Sequence, residues 1–224
     1  ATTPLRPPFR YFGAKTGMAP TIVGLMPEHR TYLEPYTGSA AVFFAKPRSE
    51  HEFLNDRNGA IVAFLRALRD DRPALEEACR LTPYARDEYL AADLTEPGLE
   101  PLELARRWWV RVSCSYSGIV NEGEVNFSAG SPATHASRAK TTARSIDRFH
   151  LYAARLADAV IDNRDALEVI ALAGMRPDAV IYVDPPYSDE VRAGAGGYLH
   201  DAEDEAHHRA LAERLCATPA SVIL

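Results

Sequence analysis

Asp184-Pro185-Pro186-Tyr187 directly follows the apolar run Val180 to Val183. A short apolar run stopped by prolines reads as a buried strand. In open α/β sheets, ligands bind at the carboxyl ends of the strands. These four residue types have a specific use at such a place. The exocyclic amino group of adenine is a poor nucleophile, because its lone pair is delocalised into the ring. A carboxylate and a backbone carbonyl that accept its two N–H bonds favour a pyramidal nitrogen with its lone pair available. The Asp184 side chain and the Pro185 carbonyl are the candidate acceptors. Pro185 and Pro186 fix the backbone, so the acceptors are set before a substrate arrives. Tyr187 offers a face on which a base that has left a duplex can stack. The plainer alternative is a strand-ending proline turn with a solvated aspartate.

Glu34-Pro35-Tyr36-Thr37-Gly38-Ser39 lies between an expected strand and an expected helix. A glycine at such a turn lets a ligand approach the backbone and the helix N-terminus. Gly38 stands alone, so this is not a GxGxxG pyrophosphate loop, and it suits a ligand without phosphates; an ordinary tight turn is the alternative. Asp56 follows Gly38 by 18 residues, a spacing that favours an acid on ribose hydroxyls over the alternative, a cap for the helix starting near Asn58.

The elements that must position these residues alternate. Strands are expected at Thr31 to Tyr36, Glu52 to Asp56, Ala159 to Ile161, Val180 to Val183 and Ser221 to Leu224. Helices are expected at Ser39 to Lys46, Gly59 to Arg69, Ala166 to Leu172 and Glu203 to Ala217. Alternation of this kind implies an α/β fold with a parallel sheet covered on both faces. The middle breaks the pattern, with helices expected at Leu102 to Tyr116 and Lys140 to Ala157, and turns and a hairpin at Ser117 to Pro132. The expected organisation is a core of residues 1–71 and 151–224 with an inserted, mostly helical subdomain at 72–150. Ser221 to Leu224 would leave a bare apolar edge, so further C-terminal strands are expected beyond it.

The formal net charge is −6, yet Pro101 to His150 carries seven bases against four acids. An acidic body with one basic segment suits a protein that meets DNA on one side. Lys140, Arg144 and Arg148 recur every four residues, which predicts one helical face, either a phosphate-contacting stripe or a solvated surface. Trp108 and Trp109 read as core, and His207 and His208 as surface residues of a late helix. Cys79, Cys114 and Cys216 are too widely spaced for a disulfide framework or a metal pair, and buried free thiols are expected. No metal is expected. No apolar run is long enough to span a bilayer, and Ala1 to Arg10 has no apolar signal core, so a cytoplasmic protein is expected.

Taken in order, Tyr11-Phe12-Gly13-Ala14-Lys15, the turn Glu34 to Gly38, Asp56, the insertion and Asp184 to Tyr187 resemble the Dam-like, group α (D12 class) adenine-specific DNA methyltransferases. The resemblance runs from about Arg10 to the C-terminus. It implies a Rossmann-like fold that binds S-adenosylmethionine, with double-stranded DNA as partner and S-adenosylhomocysteine and methyladenine as products. It implies that Tyr11, Gly13 and Lys15 help hold the methyl donor, that Glu34, Tyr36 and Gly38 line its methionine side, and that Asp56 binds its ribose. Asp184 would adjoin both donor and base. Asp165 is expected near the donor's adenine, or as a helix cap. Tyr116-Ser117-Gly118 and Gly123 to Phe127 resemble a recognition hairpin, which makes Asn126 a candidate DNA contact or a turn asparagine. Tyr198, in a glycine-rich loop, resembles a DNA-contacting position. The rival readings are a methyltransferase acting on an RNA or protein nitrogen and a DNA-binding relative without catalysis. Asp rather than Asn before the two prolines, with the basic insertion, favours adenine in DNA.

Overall fold

The structure is a computed structural model that describes residues 4–115, 120, 127, 131–186 and 205–224. Its strands are β1 (Thr31–Glu34), β2 (His51–Asn55), β3 (Val160–Asp162), β4 (Ala179–Tyr182) and β5 (Ser221–Ile223). Its helices are α1 (Ala19–Gly24), α2 (Ala41–Ala45), α3 (Gly59–Asp70), α4 (Arg72–Leu81), α5 (Arg86–Ala91), α6 (Pro101–Cys114), α7 (Pro132–Ile146), α8 (Phe149–Leu156), α9 (Ala166–Ala173) and α10 (Glu205–Cys216). Two compact units arise. One joins Ala1–Pro7, Ala14–Gly59 and Asp158–Leu224, and the other joins Pro8–Gly13 and Ala60–Ala157.

The first unit holds one sheet in the order β3-β2-β1-β4-β5, with every neighbouring pair parallel. This is the Rossmann-like α/β arrangement that the alternating pattern predicts. β1 and β4 are buried at every position, as strands covered on both faces must be. Side chains alternate across the sheet. Leu33, Ile181 and Val183 pack with Val169 and Ile170 of α9 and Leu211 of α10. The opposite face carries Tyr32, Glu34, Glu52 and Tyr182, and all four are buried.

That polar face is compensated locally. Lys46 ends α2 and forms an ion pair with Glu52 at 2.7 Å, with side chains only 1% and 3% exposed. The Lys46 ammonium also donates to the Pro47 carbonyl and the Ser49 hydroxyl, and it lies 4.5 Å above the Tyr32 ring. All its donors therefore have polar partners or a π face, which a buried charge requires.

The second unit is helical. Its core gathers Phe64, Leu75, Tyr89, Trp108 and Phe149, all buried. Phe9 stacks edge-on against Phe64 and Trp108, which ties the segment Pro8–Gly13 to α3 and α6. Trp108 and Trp109 are core residues, as expected. Residues 72–150 lie within this unit. Asp71 caps α4 and Ser131 caps α7, each with a proline inside the first turn.

Three local expectations need correction. The helix expected at Lys140 to Ala157 is two helices, α7 starting earlier at the Ser131 cap and α8 starting after a break at Asp147 and Arg148, where Asp147 pairs with Arg80 at 2.7 Å. Ile146 and Phe149, on either side of the break, are both buried. Arg148 therefore leaves the face that Lys140 and Arg144 share, and its guanidinium lies over the Tyr152 ring. Cys79 and Cys114 are buried, whereas Cys216 ends α10 and is exposed. Burial pushes the Cys79 and Cys114 thiols up to about 12, so neither is a ready nucleophile. Ser115 and Phe127 form one antiparallel bridge; the rest of the expected hairpin lies outside the described residues.

Removing one partner of the Lys46–Glu52 pair leaves a buried charge without compensation. Lys46→Ala should lose about 3–5 kcal/mol of stability. Paired urea titrations of wild type and variant give the measurement, and a loss below about 1 kcal/mol, the range of a surface pair, would refute the assignment.

Candidate active site

Parallel pairing brings the carboxyl ends of β1, β2 and β4 to one edge of the sheet. The chain order reverses between β1 and β4, because β1 leads to β2 on one side while β4 lies on the other. That reversal is where an open α/β sheet forms its ligand crevice. Glu34 ends β1, Asp56 follows β2 by one residue, and Asp184 follows β4 by two.

Asp184 is held by Lys15, whose ammonium lies 2.7 Å from both carboxylate oxygens. The two side chains are 21% and 25% exposed, so the pair borders solvent. The Tyr182 hydroxyl donates to Asp184 Oδ2 over a longer 3.4 Å. Pro185 and Pro186 follow in half-buried positions, outside helix and strand. Tyr187 and Tyr198 lie outside the described residues, as does Asn126.

The glycine turn is fixed by its neighbours. Gly38 has φ +48°, a left-handed conformation that costs glycine little. Its N–H donates to Asp56 Oδ2 at 2.7 Å, and the Asn58 N–H donates to Asp56 Oδ1 at 2.9 Å. The Thr37 N–H donates to the Asn55 carbonyl at 2.9 Å, and the Thr37 hydroxyl donates to the Glu34 carbonyl. Asp56 thus ties the turn after β1 to the end of β2.

Asn55 has no role in the motif reading, yet it organises this edge. Its side chain is buried and donates to the Pro35 and Arg164 carbonyls at 3.0 and 3.1 Å. Its Oδ1 accepts from the Arg164 N–H at 2.9 Å. The turns after β1, β2 and β3 are joined through this one amide. The available signal is a polar residue at the inner end of an otherwise apolar run, Phe53-Leu54-Asn55.

The remaining expected site residues have contacts of their own. Asp165 caps α9, with its side chain accepting from the Leu167 N–H at 2.8 Å, so the capping alternative describes its contacts. Tyr11 and Gly13 belong to the second unit, where the Tyr11 ring meets Trp108 edge-on and Gly13 has φ +75°. Tyr36 packs against the apolar cluster of α9 and α10, and its hydroxyl lies 2.8 Å from His207 Nε2. His207 is therefore not the free surface residue that the sequence predicts. Lys140 and Arg144 are exposed on α7. The arginines of α6 are used internally: Arg106 and Arg107 pair with Glu103, and Arg111 lies over the Tyr89 ring. Among the described residues, no group of three or more His, Cys, Asp or Glu could hold a metal ion, and no helix is long and apolar enough to cross a membrane.

Glu34 is the most perturbed acid at this edge. It is 2% exposed, and burial pushes its carboxyl up to about 8, with the nearby Asp184 carboxylate adding to the rise. The Tyr32 hydroxyl donates to it at 2.8 Å and opposes the shift only partly. A raised folded-state value means that the native protein holds this proton more tightly than the unfolded chain. The stabilisation is complete below about 4.5, the ordinary value, and is lost as pH rises through about 8. Glu34→Gln should therefore melt at a temperature less dependent on pH between 5 and 8 than wild type. Thermal scans across that window decide it, and an unchanged slope would show that Glu34 is ionised throughout.

Residues 11–220 match the model of the D12 class N6 adenine-specific DNA methyltransferases. No curated protein matches the chain. The matched span begins at the Tyr11 to Lys15 segment and runs past the proline turn at 184–186, so it contains the turn, the acid and the paired aspartate just described. The chain belongs to the D12 class of N6 adenine-specific DNA methyltransferases.

Proposed function

We propose that Asp184 and the Pro185 carbonyl orient the amino group of a flipped adenine for methylation by S-adenosylmethionine, bound beside the Gly38–Asp56 turn. The reaction of the family, transfer of a methyl group to adenine N6 in DNA, is the frame. The observation that carries the reading is the Lys15–Asp184 pair at the reversal between β1 and β4, next to a turn whose left-handed glycine amide rests on Asp56.

The donor set at this edge fits the methyl donor. Asp56 is an acid just past the end of β2, the place from which an acid meets ribose hydroxyls, and Lys15 is a cation for a carboxylate. A single glycine turn without a phosphate loop suits a nucleoside that lacks a pyrophosphate. S-adenosylmethionine supplies an electrophilic methyl on a sulfonium. When bound, it would supply that methyl to N6, the electron pair of the broken carbon–sulfur bond staying on its sulfur. The chain's residues act on the nucleophile. The Asp184 carboxylate accepts from Lys15 at both oxygens and from the Tyr182 hydroxyl at Oδ2, which leaves the remaining lone pair of Oδ1 for an N–H bond. The Pro185 carbonyl accepts the second N–H. The charge that develops on N6 is stabilised by the carboxylate until the proton leaves to solvent.

Tyr187 is assigned to stacking on the extruded base, and residues 72–150 to target recognition on double-stranded DNA. Exposed Lys140 and Arg144 are the candidate phosphate contacts of α7, with Arg148 beyond the helix break. Asn126 and Tyr198 are assigned to DNA on the sequence resemblance.

Asp184→Ala should lower methyl transfer to unmethylated DNA by at least about 10²-fold, the usual effect of removing a group that meets developing charge. Affinity for S-adenosylmethionine should change much less. Tritiated methyl incorporation with nucleoside analysis gives the first quantity, and calorimetric titration gives the second. Wild-type turnover in the variant would end the assignment.

A further inference from the structure

Tyr36 and His207 are separated by 171 residues and meet at 2.8 Å, with their rings nearly perpendicular at 82° and 6.4 Å between centroids. His207 lies in the first turn of α10. One turn later Leu211 is 3% exposed and belongs to the cluster under the sheet. Positions four apart share a helix face, so the burial of Leu211 turns His207 inward as well. Tyr36 lies two residues past β1, and its ring rests against that same cluster.

A phenol hydroxyl among apolar side chains is costly without a hydrogen-bond partner. The imidazole supplies one, and α10 thereby reaches the glycine turn. The turn is then anchored on two sides. The Thr37 and Gly38 amides bond to the Asn55 carbonyl and the Asp56 carboxylate, while Tyr36 bonds to α10. With its hydroxyl used in this way, Tyr36 acts as an anchor of the turn rather than a polar contact for a ligand.

We infer that the Tyr36–His207 hydrogen bond is a latch by which α10 holds the glycine turn in its binding conformation, which makes His207 a positioning residue for the methyl donor. The donor part of this statement rests on the function proposed above. Tyr36→Phe keeps the ring and removes only the hydroxyl, and His207→Ala removes the other half. Each should weaken S-adenosylmethionine binding roughly three- to tenfold, the range for one hydrogen bond. The double variant should be no worse than either single one, because both remove the same contact. His207→Gln, which retains a polar nitrogen at similar reach, should recover part of the affinity.

Hydrogen exchange at the Thr37 and Gly38 amides gives a readout independent of the donor. Both should exchange faster in Tyr36→Phe and His207→Ala than in wild type. Unchanged exchange and affinity in both single variants, or additive losses in the double variant, would overturn the latch. Failure of the wild type to bind S-adenosylmethionine, with faster amide exchange in the variants, would remove the donor assignment and leave the latch standing.

Discussion

Three strand ends must stay level at one edge of the sheet, and the Asn55 amide holds them there. Its three hydrogen bonds reach the Pro35 carbonyl on one side and the Arg164 main chain on the other. A buried amide that loses such partners carries the full cost of its desolvation. The strand order alone would bring β1, β2 and β3 together, but it would not fix the turns that follow them. Asp56 is the next residue, so the carboxylate that supports Gly38 depends on the Asn55 backbone for its position. The glycine conformation, the support of its amide and the level of the acidic residues all follow from this contact.

The two lysine–carboxylate pairs of the first unit show how burial divides structure from chemistry. Lys46 and Glu52 are sealed, with side chains only 1% and 3% exposed. Such a pair is locked in place and contributes little once desolvation is counted. Lys15 and Asp184 have the same 2.7 Å separation but border solvent. Their charges can be shared with an incoming molecule without first dismantling the core. Glu34 lies between these regimes, buried like the first pair yet close enough to Asp184 to feel its charge.

Much of this was legible in the sequence, for local reasons. Apolar runs ended by acids and prolines located β1, β2 and β4, and with them Glu34, Asp56 and Asp184. Strand–helix alternation gave the parallel sheet and its fold class. What escaped depends on contacts between distant residues. No local pattern shows that Asn55 faces Arg164 or that His207 faces Tyr36. Nor does any local pattern show that Asp147, at the break before α8, pairs with Arg80, 67 residues earlier. Even so, two signals were present: the polar end of Phe53-Leu54-Asn55, and the four-residue spacing that puts His207 above Leu211.

The inward pairing of the α6 arginines has a consequence for affinity. Seven bases make the segment from Pro101 to His150 look like a polyanion-binding face. Arg106 and Arg107 already neutralise Glu103, and Arg111 is laid on an aromatic ring. A cation already matched inside its own fold displaces few ions from a nucleic acid. Counterion release scales with the number of phosphates neutralised. On the proposed DNA-facing role of residues 72–150, that release would draw on α7 and its flank, giving a gentler dependence on ionic strength than the raw base count implies.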